Sequence, residues 1–387
     1  MWRHIASNFL TFLVVLVFLL GGVILWGQSE YTAQGPLEEP ICLRVDRGSN
    51  MRVVSRQLEA EGALSNGTIF RVGAEYSDKT SLLKAGSWLI PEGASMSEIT
   101  DIVTRGGAST CGTEVVYRIG VTSSEVQVRE LDPATNRYVE KAEFTPGQVD
   151  APQIFENVRE KADTRYRIAV AEGVTSWQIV NGLQSVDVLE GEVGETPPEG
   201  SLAPDSYEVS EGDARGSVIE RMRAAQDAIL ANAWQNRADD IPLESPYEAL
   251  ILASIIEKET GVPSEREQVA SVFTNRLRQG MRLQTDPTVI YGITEGEGVL
   301  GRGLRRSELR AETPWNTYVI DGLPPTPIAN PGRASIEAAV SPLDTDYIFF
   351  VAKTLDPRDG HLFAETLAEH NENVARYRAL EAERDNN

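Results

Sequence analysis

The sequence of 387 residues has few of the side chains on which metal and nucleophilic chemistry depend. Its three histidines are His4, His361 and His370, and its two cysteines are Cys42 and Cys111. These residues lack the spacing of a metal-ligand set, so the sequence predicts no metal site. No G-x-S-x-G, Walker or dinucleotide-binding motif occurs either, which argues against the commonest serine hydrolase and phosphate-binding sites. We therefore expect no cofactor.

Basic charge is also scarce. The chain has 36 Lys and Arg residues against 58 Asp and Glu residues, a net charge of −22. Binding to phosphates needs clustered basic side chains, so nucleic acid is not an expected partner. The acidic residues are spread along the chain, which is typical of a soluble acidic surface.

One long apolar run is present near the amino terminus. From Phe9 to Trp26 the sequence reads FLTFLVVLVFLLGGVILW, a length that matches one membrane crossing. A short basic head precedes the run, so the positive-inside rule predicts a single-pass inner-membrane protein with a cytoplasmic amino terminus and a periplasmic bulk. A cleaved signal peptide is the alternative, although no A-x-A-like site follows Trp26. In an oxidising compartment Cys42 and Cys111 can form a disulfide or remain two separate thiols, and the sequence leaves this open.

Patterns further along the chain predict an α+β protein built from several modules. A strand, a turn and a helix occur from residue 41, and the same order returns from residue 166 and, more loosely, from residue 86, although chance echoes are an alternative. Residues 107–162 alternate apolar with polar side chains, which predicts a β-rich insertion. The predicted segments are a cytoplasmic head and transmembrane helix (1–27), a linker (28–40), a first module (41–106), the insertion (107–162), a second α+β module with a connecting helix (163–244), a last domain (245–378) and a tail (379–387).

The last domain contains an apolar helix that ends with two glutamates. Residues 249–263 read ALILASIIEKETGVP, and a capping box at 245–248 and the Gly and Pro of GVP predict its ends. A second capping box, from Ser264 to Glu267, predicts the start of the next helix. Because helix positions two apart point roughly 200° away from each other, only one of Glu257 and Glu259 can share the most apolar face.

Glu259 is the glutamate on that face, since it follows large aliphatic residues at helical spacing, whereas Glu257 follows a smaller and more polar strip. Desolvation and the negative end of the helix dipole both raise the pKa of a carboxyl in this position. Such a carboxyl suits a general acid near neutral pH. A structural ion pair between Glu259 and Arg276 of the next helix is the alternative, and the pattern alone leaves both open.

Three blocks of the last domain carry a family resemblance. Residues 253–292, ASIIEKETGVPSEREQVASVFTNRLRQGMRLQTDPTVIYG, closely resemble the signature of the endolytic murein transglycosylases, the MltG or YceG-like family. Residues 312–342 and 346–371 resemble its remaining blocks, and two upstream stretches, LKAGSWLIPEGASMSEI and EGSLAPDSYEV, are more weakly similar to its LysM-like glycan-binding part. The resemblance implies an α+β fold with a single transmembrane helix, small LysM-like modules and a mixed α+β catalytic domain. The stretch 107–162 has no counterpart in it.

The resemblance also implies an activity. It assigns the second glutamate of EKE, Glu259, as the catalytic acid of a lytic transglycosylase that cuts the MurNAc-GlcNAc β-1,4 bond within nascent peptidoglycan strands and so limits their elongation. The C6 hydroxyl of the muramic acid attacks within its own ring to give a 1,6-anhydro end, so effective molarity replaces a positioned water. The implied partners are glycan strands, the membrane and penicillin-binding-protein polymerases or other elongation and division proteins. The alternatives are a non-catalytic glycan-binding scaffold and a hydrolytic muramidase.

Two polar loops, QTDPT (284–288) and NTY (316–318), are of the type that binds sugar hydroxyl and acetamido groups. The predicted substrate-binding residues are Gln284, Thr285, Asp286, Asn316, Thr317 and Tyr318, and the predicted supporting residues are Glu257, Arg276 and His361. Asp286 has a second interpretation as a helix N-cap, and it is also the best second carboxylate for a hydrolase. For Asn316 and Thr317 the alternative is a turn-stabilising role, and for His361 it is a structural one. Tyr291 and Trp315 are predicted to be core residues.

Overall fold

A computed structural model describes residues 2–107, 109–159, 161 and 164–385. The chain divides into two compact units, one of residues 1–115, 127–144 and 150–165 and the other of residues 116–126, 145–149 and 166–387. Helices and strands occur in both units, so the predicted mixed α+β class is confirmed.

The elements described are as follows. The helices are α1 (Trp2–Thr32), α2 (Met51–Ala60), α3 (Gly67–Tyr76), α4 (Met96–Arg105), α5 (Gln153–Arg159), α6 (Ser176–Gln184), α7 (Arg215–Gln235), α8 (Pro246–Glu259), α9 (Arg266–Arg278), α10 (Asp286–Thr294), α11 (Arg333–Val340) and α12 (Leu367–Asp385). The strands are β1 (Ile41–Val45), β2 (Gly86–Ile90), β3 (Thr113–Ile119), β4 (Ser124–Asp132), β5 (Arg137–Phe144), β6 (Arg165–Val170), β7 (Ser206–Val209), β8 (Phe349–Ala352) and β9 (His361–Ala364).

Helix α1 contains the predicted apolar run. The stretch Phe9–Thr32 is long and apolar enough to cross a membrane. The helix continues beyond residue 27, so the segment expected to be a linker begins as helix. It is also packed rather than free, because the Tyr31 hydroxyl donates to Thr100 Oγ1 at 2.9 Å and Leu37 is buried.

The first module is a strand, two helices and a strand, followed by α4. Strands β1 and β2 pair antiparallel with Leu43 opposite Trp88, and both side chains are buried with residues of the surrounding helices. Cys42 and Cys111 form a disulfide with their Cα atoms 6.0 Å apart, which decides between the two alternatives that the sequence left open.

The predicted insertion forms strands β3, β4 and β5. They belong to a five-stranded sheet of order β5-β4-β3-β6-β7. Strand β3 is the neighbour of β6 in this sheet. Just after β6, the backbone N–H of Ala171 donates to the carbonyl oxygen of Ile119, the last residue of β3, at 2.9 Å.

Helix α8 forms the centre of the last domain. Its residues from Ala249 to Ile256 are all buried, and they share one apolar core with residues of α9 and α11. A helix that is apolar on every side is expected to be enclosed on every side. The sequence pattern, which contrasted the Glu257 face of the helix with the Glu259 face, therefore underestimated how far the surroundings of Glu257 are buried.

The helix boundaries agree with the predicted capping only in part. The Ser245 side chain accepts the Glu248 N–H at 3.2 Å, as expected for an N-cap. The second predicted box is wrong, because a 3₁₀ turn, Pro263–Glu265, precedes α9 and leaves Ser264 away from the helix start. At the other end of the domain α12 continues to Asp385, so most of the stretch expected to be a tail is helical.

Candidate active site

Glu259 is the last residue of α8, and its carboxyl group is enclosed by protein. Its Oε1 atom accepts a hydrogen bond from the Thr285 hydroxyl. Desolvation is the main cause that raises the pKa of Glu259 above its ordinary value, and the charge of Asp286 adds to it, whereas Thr285, His361 and Arg276 act in the opposite direction. The residue as a whole keeps part of its surface exposed. A desolvated carboxyl with a raised pKa is suited to general acid catalysis.

A rigid turn directs Thr285 towards Glu259. Gln284 has a left-handed backbone with φ of 50°, a conformation that costs a non-glycine residue about 1–2 kcal/mol. Its N–H donates to Thr317 O at 3.1 Å, and the Thr285 N–H donates to Thr317 Oγ1 at 3.0 Å. The Thr288 and Thr317 hydroxyls lie 2.9 Å apart. Thr317 therefore holds the turn that presents the Thr285 hydroxyl.

Asp286 and Tyr318 form a second polar pair at this site. The Tyr318 hydroxyl donates to Asp286 Oδ1 at 2.6 Å. Asp286 is the first residue of α10 and Thr285 is the N-cap position, so Asp286 is not the N-cap itself. Desolvation and the bond to Asp286 raise the pKa of Tyr318, which keeps its hydroxyl protonated. Asp286 is exposed and Tyr318 is partly exposed, so both remain available to a ligand.

Asn316 is used within its own loop. Its Nδ2 donates to Glu308 O at 3.1 Å and Ala311 O at 2.7 Å, and its Oδ1 accepts the Tyr318 N–H at 3.0 Å. Asn316 and Thr317 are each 0% exposed. The expected direct contact of these two residues with substrate is therefore not available in this structure, and their buried hydrogen bonds match the turn-stabilising alternative. Of the six predicted binding residues, Gln284, Asp286 and Tyr318 keep clearly accessible surface.

Arg276 supports the site through main-chain carbonyls. Its Nε donates to Ile348 O and its Nη1 to Leu283 O, each at 2.7 Å, and the residue is only 7% exposed. Among the described residues no ion pair joins Arg276 to Glu259, so the structural pairing considered from the sequence does not occur. Arg276 instead fixes the chain that leads into the Gln284 turn.

His361 is held by a glutamate that the sequence reasoning missed. Its Nδ1 lies 2.8 Å from Glu265 Oε2, and its backbone N–H donates to Glu265 Oε1 at 2.8 Å. Glu265 thus fixes both the ring and the strand β9, and the His361 charge lowers the pKa of Glu259. The predicted capping box had directed attention to Glu267 instead.

Glu257 faces a different set of partners from Glu259. Its Oε2 accepts the Gly332 N–H at 3.0 Å, at the N-cap of α11, and its Oε1 lies 3.9 Å from Arg266 Nη2. The side chain is 7% exposed, so the expected small, polar strip is in fact enclosed. Glu257 joins the end of α8 to the start of α11, and within the described part of the chain it makes no hydrogen bond to the Thr285 turn.

A second carboxyl with a raised pKa, Glu199, lies outside this group. Its Oε1 accepts the Ser176 N–H at 2.8 Å and Asn330 Nδ2 at 3.2 Å. Desolvation raises its pKa to about 7, although hydrogen bonds from Ser176 and Tyr291 lower it. The sequence placed Glu199 at the start of the weakly similar stretch EGSLAPDSYEV, in an acidic loop, and assigned it no role.

Glu199 predicts a pH-dependent stability. Because the pKa in the folded protein is about 7 against an ordinary 4.5, the folded state favours the protonated carboxyl. The stability that this group contributes is fully present below pH 4.5 and is lost as the pH rises through 7. Glu199→Gln keeps the shape of the side chain but does not titrate. As the pH rises from 4.5 to 7, the free energy of unfolding of this variant should therefore increase by roughly 3 kcal/mol relative to that of the wild type.

The measurement is chemical denaturation of the detergent-solubilised protein at several pH values. Glu192→Gln is the matched control, because Glu192 is an exposed glutamate of the same loop. A difference between Glu199→Gln and the wild type that stays constant with pH would contradict this assignment.

Known proteins are similar to this chain over most of its length. The model of the YceG-like family matches residues 43–376. The chain is 27% identical over 364 residues to a protein of Bacillus subtilis named endolytic murein transglycosylase, covering 93% of this chain and 91% of that protein. It is 24% identical over 385 residues to a protein of the same name from Streptococcus pneumoniae, covering 97% of this chain but only 66% of that relative.

A solved structure is also similar. A Listeria monocytogenes chain described as yceG-like is 26% identical, covers 87% of this chain and 99% of its own, and has a TM-score of 0.45. Within the described ranges no group of three or more His, Cys, Asp or Glu side chains is arranged to hold a metal ion.

Proposed function

Because the chain belongs to the YceG-like family, we propose that it is an endolytic lytic transglycosylase of peptidoglycan with Glu259 as its single catalytic acid and base. The observation that carries the proposal is the geometry of Glu259, a desolvated carboxyl that accepts a hydrogen bond from Thr285 on a residue that is partly exposed. Both relatives named above carry the name of this activity.

The first step breaks the glycosidic bond. The protonated Glu259 gives its proton to the bridging oxygen while the bond from C1 of the muramic acid to that oxygen breaks, and the departing glucosamine leaves with a free C4 hydroxyl. The raised pKa of Glu259 favours the protonated form that this step needs. Positive charge that develops at C1 lies in the field of the exposed Asp286 carboxylate, which is coupled to Glu259.

The second step closes the new ring. Glu259, now a carboxylate, takes the proton of the muramic C6 hydroxyl while that oxygen bonds to C1. The product has a 1,6-anhydro end, Glu259 is protonated again, and no water is consumed. The Thr285 hydroxyl stabilises the carboxylate between the steps, since a hydrogen bond to the charged form favours it. A muramidase with Asp286 as second carboxylate is the alternative, but Asp286 already accepts the Tyr318 hydroxyl.

The protein is proposed to work at the outer face of the cytoplasmic membrane, near the polymerases that make new strands. Helix α1 supplies a segment able to span the membrane, and the Cys42–Cys111 disulfide is typical of an oxidising compartment. A reporter active only outside the cytoplasm, fused after residue 40, should therefore be active. A reporter that works only in the cytoplasm would contradict this orientation.

The length of glycan strands incubated with the protein distinguishes an enzyme from a non-catalytic scaffold. Full-length protein in detergent is incubated with uncrosslinked nascent strands, and the length distribution is followed by chromatography. Internal cutting produces strands of intermediate length from the first time point, whereas cutting from the ends releases disaccharides first. Unchanged lengths with bound strands would favour the non-catalytic scaffold and contradict the proposal.

Thr285 predicts a shift in the pH profile. Its hydrogen bond lowers the pKa of Glu259, so Thr285→Val should raise that pKa further. Because activity on free substrate requires protonated Glu259, the alkaline limb of the kcat/KM profile should move to higher pH. Thr288→Val is the control, since the Thr288 hydroxyl supports the same turn without contacting Glu259. An alkaline limb that is unmoved in Thr285→Val, or moved equally in both variants, would contradict this role.

A further inference from the structure

A groove of about 360 Å³ lies beside α6, away from the residues around Glu259. We call it the Trp177 groove. One wall is the helix surface carrying Trp177, Asn181 and Ser185, the opposite wall is the turn between β3 and β4, and Gly298 and Val299 form part of the rim. All of these residues belong to one compact unit. Trp177 is 36% exposed, so part of its indole faces the groove or solvent.

The lining of the Trp177 groove has no charge. Its residues are Gly120, Val121, Thr122, Ser123, Ser124, Thr145, Pro146, Trp177, Gln178, Asn181, Gly182, Ser185, Gly298 and Val299. Charged residues make up 24% of the chain, so a surface of this size would ordinarily contain several. Hydroxyl and amide groups with one exposed indole match a neutral ligand that presents hydroxyls, amides and an apolar face.

Several of these polar groups remain available. In the part of the chain that the structure describes, the hydroxyls of Thr122, Ser124 and Thr145 make no hydrogen bond to protein. The Asn181 amide donates to Trp177 O at 3.0 Å, which leaves its carbonyl oxygen as an acceptor. N-acetylated sugars carry the complementary hydroxyl and acetamido groups.

The floor of the groove is closely packed. A Cβ atom at Gly182 would lie 2.7 Å from the Ile119 side chain, so only glycine lets α6 approach β3 this closely. Gln178 Nε2 donates to Val121 O at 2.8 Å and Gln178 Oε1 accepts the Thr175 N–H at 3.0 Å. The same side chain thus joins the two walls, and the groove is a preformed shape rather than a gap between loose loops.

The rim is connected to the candidate active site by a short helix. Gly298 and Val299 follow α10, which begins at Asp286 and spans nine residues, or about 13 Å at 1.5 Å per residue. The Thr175 hydroxyl, at the N-cap of α6, donates to Gly296 O at 2.6 Å. The Gly296 end of this link is therefore attached to α6, and α10 connects the rim of the groove to Asp286 of the candidate active site.

From this arrangement we propose that the Trp177 groove is an accessory subsite that binds N-acetylated sugar residues of the same glycan strand at a distance from the bond being cut. The inference rests on the proposed function and extends it. A subsite remote from the cleavage point strengthens binding only for strands long enough to reach both places, which favours internal bonds of long strands over short fragments. The indole supplies a flat apolar face and the surrounding hydroxyls and amides supply hydrogen bonds.

The test uses full-length protein carrying Glu259→Gln, so that the probe is not cut, and the N-acetylglucosamine hexamer as the probe. Binding is measured by calorimetry in detergent for this protein and for the same protein with Trp177→Ala, Trp177→Phe or Tyr76→Ala. Tyr76 is a 90% exposed aromatic residue outside the groove. Trp177→Ala should weaken binding by about tenfold, the usual effect of truncating an aromatic anchor. Trp177→Phe should restore most of the affinity, and Tyr76→Ala should have no effect.

Activity provides the second readout. With Glu259 intact, Trp177→Ala should raise KM on long strands several-fold while kcat stays near the wild-type value, and it should leave the rate on short fragments unchanged. Equal hexamer affinity for Trp177→Ala and its parent would overturn the subsite, whatever the activity. A wild-type protein that binds the hexamer through Trp177 but produces no cut strands would overturn the proposed function and leave the subsite standing.

Discussion

Glu259→Gln is expected to abolish strand cleavage while the protein stays folded and still binds glycan. The substitution keeps the size of the side chain and an acceptor for the Thr285 hydroxyl, but it removes the carboxyl group that gives the first proton and takes the second. The loss of kcat should be at least the roughly 10²–10⁴-fold typical of general acid–base catalysis, and more because one residue serves in both steps. Initial rates on nascent strands, together with hexamer binding, measure the two effects separately.

Glu257→Gln is the matched control, two residues away on the same helix. Its amide oxygen can still accept the Gly332 N–H, so the end of α8 should stay attached to α11. A substantial fraction of activity should remain, and any loss should follow the loss of stability. An active Glu259→Gln variant beside an inactive Glu257→Gln variant would reverse the assignment and contradict the proposed mechanism.

Arg276→Met is expected to give the largest loss of stability. The guanidinium is buried and satisfies the carbonyl oxygens of Ile348 and Leu283. An apolar side chain of similar length leaves both without that donor, at about 1–3 kcal/mol for each, so the free energy of unfolding should fall by roughly 2–5 kcal/mol. Because Leu283 precedes the Gln284 turn, kcat should fall as well, even at temperatures where the variant is folded.

Arg278→Met provides the comparison, since Arg278 lies on the same helix with a side chain that is 38% exposed. Its loss should change the free energy of unfolding by less than about 1 kcal/mol. Chemical denaturation of the two variants under the same conditions measures both free energies of unfolding. Equal stability of both variants would show that the carbonyl bonds of Arg276 contribute little.

Helix α8 and the position of Glu259 at its end were predictable, because both depend on local signals. Apolar periodicity, the Ser245 cap and the GVP ending are contained in about twenty consecutive residues of sequence. The raised pKa of Glu259 followed from the same pattern, and the structure gives desolvation as its first cause. The enclosure of Glu257 was not predictable in this way, since it depends on Gly332 and Arg266 packing against α8 from elsewhere in the chain.

The polar loops illustrate the same limit. Residue type and turn context identified QTDPT and NTY, but they did not show which side chains face outward. Thr317 and Asn316 are buried because their hydrogen bonds build the two loops against each other. Glu265 and Glu199 escaped notice because their partners lie 96 and 131 residues away, and no local pattern reports such pairings.

The chemistry of the new strand ends tests the central claim most directly. Full-length protein cleaves nascent strands in water enriched in oxygen-18, and the new ends are read by mass spectrometry. If Glu259 acts alone as acid and then base, the ends are 1,6-anhydro muramic acid without label, and Glu259→Gln produces none of them. Reducing ends that carry one oxygen-18 atom would show that water is the nucleophile, and would contradict the single-carboxyl lytic mechanism.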